Sequence, residues 1–464
     1  MFLKQFYLGC LAHASYLIGD SSSKVGIVID PQRDIDHYLA EAKAQGLVIQ
    51  HVFLTHFHAD FVAGHLEIQK ATGAKIHLGE KAIASYDFEA MADGDTLEWG
   101  KLRLQVLSTP GHTPEGVSLV IYDLEDSAEK PHAVFTGDTL FVGDVGRPDL
   151  LASVGMTAKD LAGMMYDSLH QKLMTLPNET LVYPAHGAGS MCGKNLGTER
   201  FTTIGEQRTK NYALQDMTKE EFVALTTENL SKAPKYFAYD ATLNKKQRPT
   251  LDMALEQALL PLSLEQILDQ QKNKAQLLDV RGAAEFAKKH MKGSLNIGLG
   301  GKFASWSGSL LDPTIPIVLL ADPGTEREAA TRLGRIGFDN IAGYLKGGLE
   351  SITDDSLMNY GERQDVPKLK ALLENSDSMT LLDVRTCNEY KSKHIPGSVH
   401  IPLRELAERL KELPPSKPIV IHCASGYRSS SAMSLLRAEG FQDVSDLAGG
   451  INAWIDSKEE IASA

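Results

Sequence analysis

Short apolar runs rich in β-branched residues recur along the first 190 residues of the chain. They predict strands at Val25–Ile29, His51–Leu54, Leu102–Leu107, Val117–Ile121 and Ala133–Thr136. Several of these runs end in polar segments that contain Gly, His or Asp. Strands that alternate with short helices are typical of a layered α/β fold, and polar strand ends are where such a fold builds a functional site.

The rest of the chain contains a duplicated pattern. The segment LLDVRGAAEFAKKHMKGSLNI, which starts at Leu277, matches LLDVRTCNEYKSKHIPGSVHI, which starts at Leu381. A second matching block starts at Ile317 in the first copy and at Ile419 in the second. Each copy predicts strand, helix, strand, loop and helix, so the repeated unit is a whole small α/β domain with a mostly parallel sheet.

These patterns predict an α/β protein of three domains, at residues 1–245, 258–355 and 362–464. A chain of 464 residues is long enough for three domains, each with its own core. The polar segment Asn244–Pro249, which contains two lysines and an arginine, is interpreted as the linker that leaves the first domain.

Charge and composition exclude several classes of partner. A net charge of −13 argues against nucleic acid and against an anionic membrane surface, although a local pocket could still bind a small anion. No apolar run is long enough for a transmembrane helix. Four cysteines in a chain of this length are too few for a disulfide framework and indicate a reducing compartment, so we expect a cytoplasmic protein.

Histidine and aspartate residues follow several predicted strands of the first domain. A single histidine is more often a surface or hydrogen-bonded core residue than a ligand, and His65 is left outside the pattern for this reason. Imidazoles and carboxylates that converge from several strand ends are what a divalent metal ion needs. The sequence therefore predicts a metal site. Its candidate residues are, in chain order, His56, His58, Asp60, His112, Asp138 and His186.

The blocks THFHAD, PGHT, GDT and AHG, in that order, resemble the metallo-β-lactamase superfamily over roughly residues 1–240. The resemblance implies an αββα sandwich with the metal at one edge of the two sheets. Dinuclear hydrolases of this superfamily, such as glyoxalase II, read HxHxDH, and the last histidine binds the second metal ion. This chain has Phe61 there, and phenylalanine cannot bind a metal, which favours a mononuclear site.

Within the superfamily, this arrangement is similar to the persulfide dioxygenases that are fused to rhodanese modules. The resemblance implies one Fe(II) per chain, held by His56, His112 and Asp138. It also implies O2 and a glutathione or coenzyme A persulfide as substrates, sulfite as product, and a homodimer or a higher homo-oligomer. A zinc thioester hydrolase of the glyoxalase II type, with rhodanese modules attached, remains the alternative.

The other polar residues of this region have roles that follow from the same resemblance. His58 and Asp60 would orient ligands, and His186 and Arg147 would contact the substrate. The alternative for Arg147 is a structural turn in which it pairs with a nearby carboxylate. Cys192 is either a thiol near the site or a small buried apolar residue.

The last repeat contains a cysteine between a strand and a helix. The apolar run Ile419–Ile421 leads to Cys423, a six-residue loop extends to Arg428, and a helix is predicted to begin in the region Ser429–Ser431. The positive end of the helix dipole and the successive backbone N–H groups of the loop both favour a thiolate over a thiol. The pattern therefore predicts a reactive cysteine.

With the DVR and HIPGS segments of the same repeat, this loop resembles the rhodanese family of sulfurtransferases. The resemblance implies that Cys423 accepts a sulfane sulfur and exchanges it with sulfite or thiosulfate, in a direction that the sequence does not fix. Arg428 would stabilise the loop or the anionic donor. The residues whose amides would surround the substrate are Ala424, Ser425, Gly426 and Tyr427.

The middle repeat lacks the reactive residues. When the two copies are aligned on Gly324 and Gly426, Ala321 stands at the position of Cys423 and Glu326 at that of Arg428. Alanine cannot carry sulfur, and the glutamate reverses the charge beside the loop. We therefore expect a catalytically silent module that acts as a spacer or a docking surface.

Overall fold

The computed structural model describes residues 1–150, 155–228, 230, 232–374 and 379–463, so the predicted end of the last module, Ala464, lies outside the described residues. The chain divides into two compact units. The first comprises Met1–Leu251 with Gly334–Gly337, and the second comprises Asp252–Leu333 with Phe338–Ala464. Among the described residues, no helix combines the length and the apolar composition that crossing a bilayer requires.

The first unit contains two six-stranded sheets. The first sheet consists of β1 (Phe2–Leu8), β2 (His13–Asp20), β3 (Val25–Ile29), β4 (Val48–Phe53), β5 (Lys75–Gly79) and β6 (Glu89–Met91), in this spatial order. Its first three strands are antiparallel and the pairs from β3 to β6 are parallel. Helices α1 (Asp36–Ala44) and α2 (His65–Thr72) connect parallel neighbours, as parallel pairing requires.

The second sheet has the spatial order β12-β11-β10-β9-β8-β7. Its strands are β7 (Thr96–Trp99), β8 (Leu102–Ser108), β9 (Val117–Asp123), β10 (Ala133–Gly137), β11 (Leu181–Pro184) and β12 (Thr202–Thr203). The helices of this unit after α2 are α3 (Ala158–Gln171), α4 (Ile204–Lys210), α5 (Lys219–Thr227) and α6 (Tyr236–Leu243). Helix α7 (Leu251–Ala258) begins at the last residue of this stretch of the first unit and otherwise belongs to the second unit.

Alternating apolar residues of the two sheets meet in a shared core, which includes Ile27 and Phe53 from one sheet and Leu104 from the other. The opposite face of the second sheet packs Val120 and Val134 against helical residues such as Leu169. This layering confirms the predicted αββα sandwich. The five predicted strands of this region are also confirmed, with ends that differ by up to three residues.

The second unit contains two modules with the same sheet topology. The strands of the middle module are β13 (Pro261–Leu262), β14 (Gln276–Asp279), β15 (His290–Met291), β16 (Leu295–Asn296), β17 (Ile317–Leu320), β18 (Ile341–Leu345) and β19 (Met358–Asn359). Its helices are α8 (Leu264–Lys272), α9 (Ala283–Lys288), α10 (Phe303–Leu310) and α11 (Glu326–Gly334). The parallel sheet has the order β13-β18-β17-β14-β16, and β15 pairs with β19.

The last module repeats this plan with the order β20-β24-β23-β21-β22. Its strands are β20 (Glu362–Gln364), β21 (Thr380–Asp383), β22 (Val399–His400), β23 (Ile419–His422) and β24 (Val444–Leu447). Its helices are α12 (Val366–Leu373), α13 (Cys387–Ser392), α14 (Leu403–Leu406), α15 (Tyr427–Ala438) and α16 (Gly450–Asp456). Two rhodanese-like α/β domains are thereby confirmed.

Two details of the sequence interpretation are wrong. The helix after the cysteine loop begins at Tyr427, ahead of the predicted region Ser429–Ser431, because Gly426 adopts a positive φ of 97° and turns the chain directly into the helix. The segment Asn244–Pro249 is not a free linker. Asn244 is fully buried; its side chain accepts a hydrogen bond from Ala63 N–H and donates to the carbonyls of His58 and Phe61, each over 2.8 Å.

Candidate functional site

The candidate metal ligands of the first unit meet at one edge of its two sheets. His56 follows β4, His112 follows β8 and Asp138 follows β10. The three side chains are buried, and one possible ligand atom from each lies within 4.8 Å of the others. Asp138 Oδ2 lies 3.7 Å from His56 Nε2 and 3.5 Å from His112 Nε2. The arrangement is that of two imidazoles and a carboxylate around a common centre.

Hydrogen bonds from the opposite nitrogens orient both imidazoles. His112 Nδ1 donates to the backbone carbonyl of Arg147 over 2.8 Å. The Thr55 hydroxyl donates its hydrogen to Asp30 Oδ2 over 2.8 Å. The contact of 3.0 Å between Thr55 Oγ1 and His56 Nδ1 therefore requires the imidazole N–H to be the donor. In both rings Nε2 is then the unprotonated nitrogen that faces the centre, as metal binding requires.

The buried atoms of this cluster support a metal ion. Among the described residues, His56 Nε2, both carboxylate oxygens of Asp138, Asp60 Oδ1 and His186 Nε2 are buried without a hydrogen-bond partner. Leaving such groups unsatisfied costs about 1–3 kcal/mol each, so a cluster of them indicates a cation-binding site. Burial and the neighbouring imidazoles lower the pKa of His56 well below its ordinary value, which keeps the ring in its neutral, ligating form.

His58, Asp60 and His186 form a second buried group with ligand atoms within 4.8 Å of one another. His186 Nε2 lies 3.5 Å from Asp60 Oδ1 and 3.6 Å from Asp138 Oδ1, so the two groups are contiguous. Burial raises the pKa of Asp60. The structure therefore brings all six predicted histidine and aspartate residues together.

Phe61 occupies the space beside this second group. Its ring centroid lies 4.3 Å from that of His58 and 4.0 Å from that of His13. Phe61 therefore places an apolar ring, which cannot bind a metal ion, directly beside His58.

Two residues of this region were not identified from the sequence. Asp30, which directly follows β3, accepts hydrogen bonds from the backbone and the hydroxyl of Thr55 and lies 3.0 Å from His58 Nε2. Burial opposes a charged imidazole, but Asp30 raises the pKa of His58. His13 is buried on β2, and neither of its ring nitrogens has a hydrogen-bond partner among the described residues. Asp30 could have been noticed as a carboxylate at a strand end, whereas His13 carries no such signal.

Arg147 and Cys192 lie on adjoining loops. The guanidinium of Arg147 is buried and donates to both carboxylate oxygens of Asp149, at 2.9 and 2.8 Å, which is the contact expected for the structural turn. Its backbone N–H donates to the carbonyl of Cys192 over 2.8 Å. Cys192 is buried, and its Sγ belongs to a third group with Asp138 and His186. Burial raises the pKa of this thiol well above its ordinary value.

The cysteine of the last module lies at the end of β23, against the first turn of α15. The backbone N–H of Gly426 donates to Cys423 Sγ over 3.1 Å. The thiol lies 3.7 Å from Ser429 Oγ, and the Ser429 hydroxyl donates to Asp446 Oδ2 over 2.9 Å. Of the amides predicted to surround the substrate, that of Gly426 is therefore the one that contacts the sulfur directly.

Two arginines flank the same loop. Arg428 donates through both terminal nitrogens to Glu389, at 2.7 Å each. Burial works against ionisation of Glu389, but Arg428 holds the pKa of this carboxyl at about 2. Arg363, which the sequence did not indicate, donates through Nε and Nη2 to Asp446 at 2.9 Å each. A Cβ atom at Gly426 would lie 2.6 Å from its Nη2, so glycine is needed for this close approach.

Comparisons with known families agree with this division of the chain. Residues 8–186 match the profile described as "Metallo-beta-lactamase superfamily". Residues 261–355 and 365–457 each match the profile described as "Rhodanese-like domain".

Individual relatives match different shares of the chain. The mitochondrial persulfide dioxygenase ETHE1 of Bos taurus is 31% identical over 222 residues, which are 47% of this chain and 78% of that protein. A hydroxyacylglutathione hydrolase of Polaromonas sp. is 35% identical over 176 residues, 37% of this chain and 61% of that protein. A crystal structure described as a metallo-beta-lactamase of Staphylococcus aureus subsp. aureus COL has a TM-score of 0.66 and 31% identity, and covers 74% of this chain and 98% of its own.

Proposed function

Because the chain belongs to the metallo-β-lactamase superfamily, has persulfide dioxygenases among its relatives and continues into two rhodanese-like domains, we propose that it is a bifunctional sulfur enzyme. Its first unit would oxidise the persulfide of a small thiol to sulfite, and its last module would transfer sulfane sulfur. The observation that carries the proposal is that a buried set of two imidazoles and one carboxylate stands on the same chain as a cysteine held in an amide loop.

The proposed cofactor of the first unit is one Fe(II), held by His56, His112 and Asp138. When bound, iron in such a set leaves positions open and supplies the activation of O2. The balanced reaction is RSSH + O2 + H2O → RSH + HSO3− + H+, where R is glutathione or coenzyme A. The chain itself contributes two oriented imidazoles and, through Phe61, an apolar wall that disfavours a second metal ion.

The proposed reaction of the last module needs no metal. The Cys423 thiolate would attack the outer sulfur of thiosulfate; the sulfur–sulfur bond of thiosulfate breaks, a cysteine persulfide forms and sulfite leaves. The reverse reaction would use sulfite from the first unit and produce thiosulfate. The Gly426 amide is placed to stabilise negative charge on the cysteine sulfur in either direction.

A zinc thioester hydrolase is the second candidate for the first unit. It is favoured by the intact group of His58, Asp60 and His186 and by the similarity to a hydroxyacylglutathione hydrolase. Such a hydrolase requires two metal ions, one in each of the two contiguous groups. Phe61 stands where the dinuclear hydrolases have a histidine ligand, so the second metal ion would lack a donor.

Metal analysis combined with an oxygen electrode separates the two candidates. We expect one iron per chain in protein purified without oxygen, and O2 uptake with sulfite formation when glutathione persulfide or coenzyme A persulfide is added. His112→Ala should lose the iron and reduce O2 uptake by more than about a hundredfold, since even the outer partners of metal ligands are worth about 10–100-fold. His132→Ala is the matched control, because His132 lies outside the metal groups.

A pair of zinc ions per chain, with thioester hydrolysis and no O2 uptake on either persulfide, would overturn the dioxygenase proposal. Sulfur transfer by the last module should survive His112→Ala, because Cys423 and its partners lie in the other compact unit.

A further inference from the structure

A buried carboxylate stands one hydroxyl group away from the cysteine of the last module. Asp446, on β24, is fully buried. Its Oδ2 accepts a hydrogen bond from the Ser429 hydroxyl over 2.9 Å, and Ser429 Oγ lies 3.7 Å from Cys423 Sγ. These two contacts in series place the carboxylate within about 7 Å of the sulfur, a range over which buried charges interact strongly. A carboxylate without a counter-charge at this place would oppose the thiolate form of the cysteine.

Arg363, on the edge strand β20, supplies the counter-charge. Its Nε and Nη2 donate to the two carboxylate oxygens of Asp446 over 2.9 Å each. The sheet fixes this pair, because the two residues are direct partners in the parallel strands β20 and β24. The same guanidinium reaches the cysteine loop, where a Cβ atom at Gly426 would lie 2.6 Å from its Nη2. Arg363 therefore borders both the carboxylate and the residue whose amide contacts the sulfur.

The other charged or titratable groups around the loop lie on or beside β21, β23, α13 and α15 and, in the middle module, on α11; they are Asp383, Arg385, His422, Glu389, Arg428 and Arg332. Arg428 donates to Glu389 over 2.7 Å, and Arg385 donates to Asp383 over 2.6 Å. Burial lowers the pKa of His422 to about 4, so this ring is uncharged at neutral pH. These groups form a constant background when the pair between β20 and β24 is changed.

We propose that Arg363 is a positioning residue of the Cys423 site, which neutralises Asp446 and thereby permits a negative charge on the cysteine sulfur. The Ser429 hydroxyl has one hydrogen, so it can donate to the sulfur only while the carboxylate keeps other donors. Arg363 supplies two such donors. The inference rests on the proposed sulfurtransferase function, in which the cysteine attacks as a thiolate, and it assigns a role to a strand outside the loop.

The two halves of the ion pair should have opposite effects on the reactivity of Cys423. In the full chain, the cysteine is alkylated with iodoacetamide, a neutral reagent, across a range of pH, and modification is followed on the peptide that contains it. Arg363→Gln leaves the carboxylate without its counter-charge, so the pH of half-maximal alkylation rate should rise by about one unit. Asp446→Asn leaves the guanidinium alone, so this midpoint should fall by about one unit. The double variant should return close to wild type.

Opposite signs distinguish a charge effect from damage to the fold, because a purely structural role moves both midpoints in the same direction or moves neither. Arg363→Lys keeps the charge and should restore most of the shift caused by Arg363→Gln. Arg409→Gln and Glu412→Gln are the matched controls, because they remove the same two charges from a solvent-exposed ion pair of the same module.

The test does not depend on the variant that is hardest to fold. If Arg363→Gln fails to fold, Asp446→Asn and the double variant decide the question, since neither leaves a buried carboxylate without a partner. An Asp446→Asn midpoint that does not fall below those of wild type and the controls would overturn the inference.

Thiosulfate turnover by the same variants separates this inference from the proposed function. With cyanide as acceptor, Arg363→Gln should lower kcat/KM for thiosulfate about tenfold at a pH below both midpoints, as expected for a tenfold smaller thiolate fraction. Opposite midpoint shifts in a protein that does not turn over thiosulfate would reject the sulfurtransferase function and retain the role of Arg363. Shifts of the same sign, or none beyond those of the controls, would reject the role of Arg363 whatever the turnover.

Discussion

The loops after β17 and β23 occupy the same place in the middle and last modules, and each has a glycine with a similar positive φ. Gly324 has a φ of 94° and Gly426 a φ of 97°, so both loops turn into the next helix through the same left-handed conformation. The supporting ion pair is also duplicated. Arg281 donates to Asp279 over 2.7 Å, and its counterpart Arg385 donates to Asp383 over 2.6 Å. The framework of the rhodanese loop has thus been kept in both copies.

The two loops differ in the group that accepts a hydrogen bond from the backbone N–H of the glycine that both copies contain. In the last module, Gly426 N–H donates to Cys423 Sγ over 3.1 Å. In the middle module, Gly324 N–H donates to Glu326 Oε2 over 2.8 Å. A carboxylate of the module itself therefore occupies the amide that would stabilise a sulfur anion. The middle loop therefore differs in more than the absence of a thiol, because its glycine amide already has an anionic acceptor.

The strand beside each loop shows the same divergence. In the last module Arg363 pairs across the sheet with Asp446, and this carboxylate also receives the Ser429 hydroxyl. In the middle module the equivalent strand pair is Pro261 with Tyr344. The middle module therefore lacks both the cysteine and the charged pair that, in the last module, holds the first turn of the helix.

The largest expected effect comes from removing the Cys423 thiol of the last module. Cys423→Ser should reduce thiosulfate-dependent sulfur transfer by at least about a thousandfold, as loss of a catalytic nucleophile does. Persulfide-dependent O2 uptake should be unchanged. Cys387→Ser is the control, since Cys387 is exposed at the start of α13. Sulfur transfer that survives in Cys423→Ser would mean that another residue carries the sulfur.

A smaller effect is expected when a thiol is supplied to the middle module, which has no cysteine. In a Cys423→Ser background, Ala321→Cys should take up sulfur from thiosulfate at least about a hundredfold more slowly than wild type, because Glu326 places a negative charge where a thiolate needs a positive one. Adding Glu326→Arg should accelerate the uptake about tenfold. Sulfur bound to the introduced cysteine is measured by mass spectrometry of the middle-module peptide. Equal rates for Ala321→Cys and wild type would contradict a filled anion site.

The fold could be predicted in outline because its signals are local. Apolar runs such as Val25–Ile29 have the length and composition of buried strands, and the repeat from Leu277 to Leu381 reveals a duplicated domain by itself. The boundary region was misread because Asn244 and Arg248 are polar residues of the kind found in linkers. Only the tertiary structure shows that Asn244 satisfies the backbone groups of the loop that carries His58.

The sequence predicts those site residues whose type and position along the chain are typical of metal ligands or of a reactive cysteine. His56, His112 and Asp138 are ordinary ligand types at strand ends, and Cys423 stands in a distinctive loop. Arg363 could not be recognised, because it reaches Asp446 from a strand that is distant in sequence.

The smallest effect concerns the stability of the loop after β17 in the middle module. Glu326→Ala should lower the free energy of unfolding by about 0.5–1 kcal/mol, because it removes the acceptor for Gly324 N–H and a negative charge from the first turn of α11. Glu326→Gln keeps an acceptor but loses the charge, so its destabilisation should be smaller. Glu256→Ala on α7 is an exposed control. The measurement is thermal unfolding of the full chain by calorimetry. If Glu326→Ala is as stable as the control, the carboxylate does not stabilise the loop. The expected inactivity of the middle module would then have to come from the absent thiol and the absent charged strand pair alone.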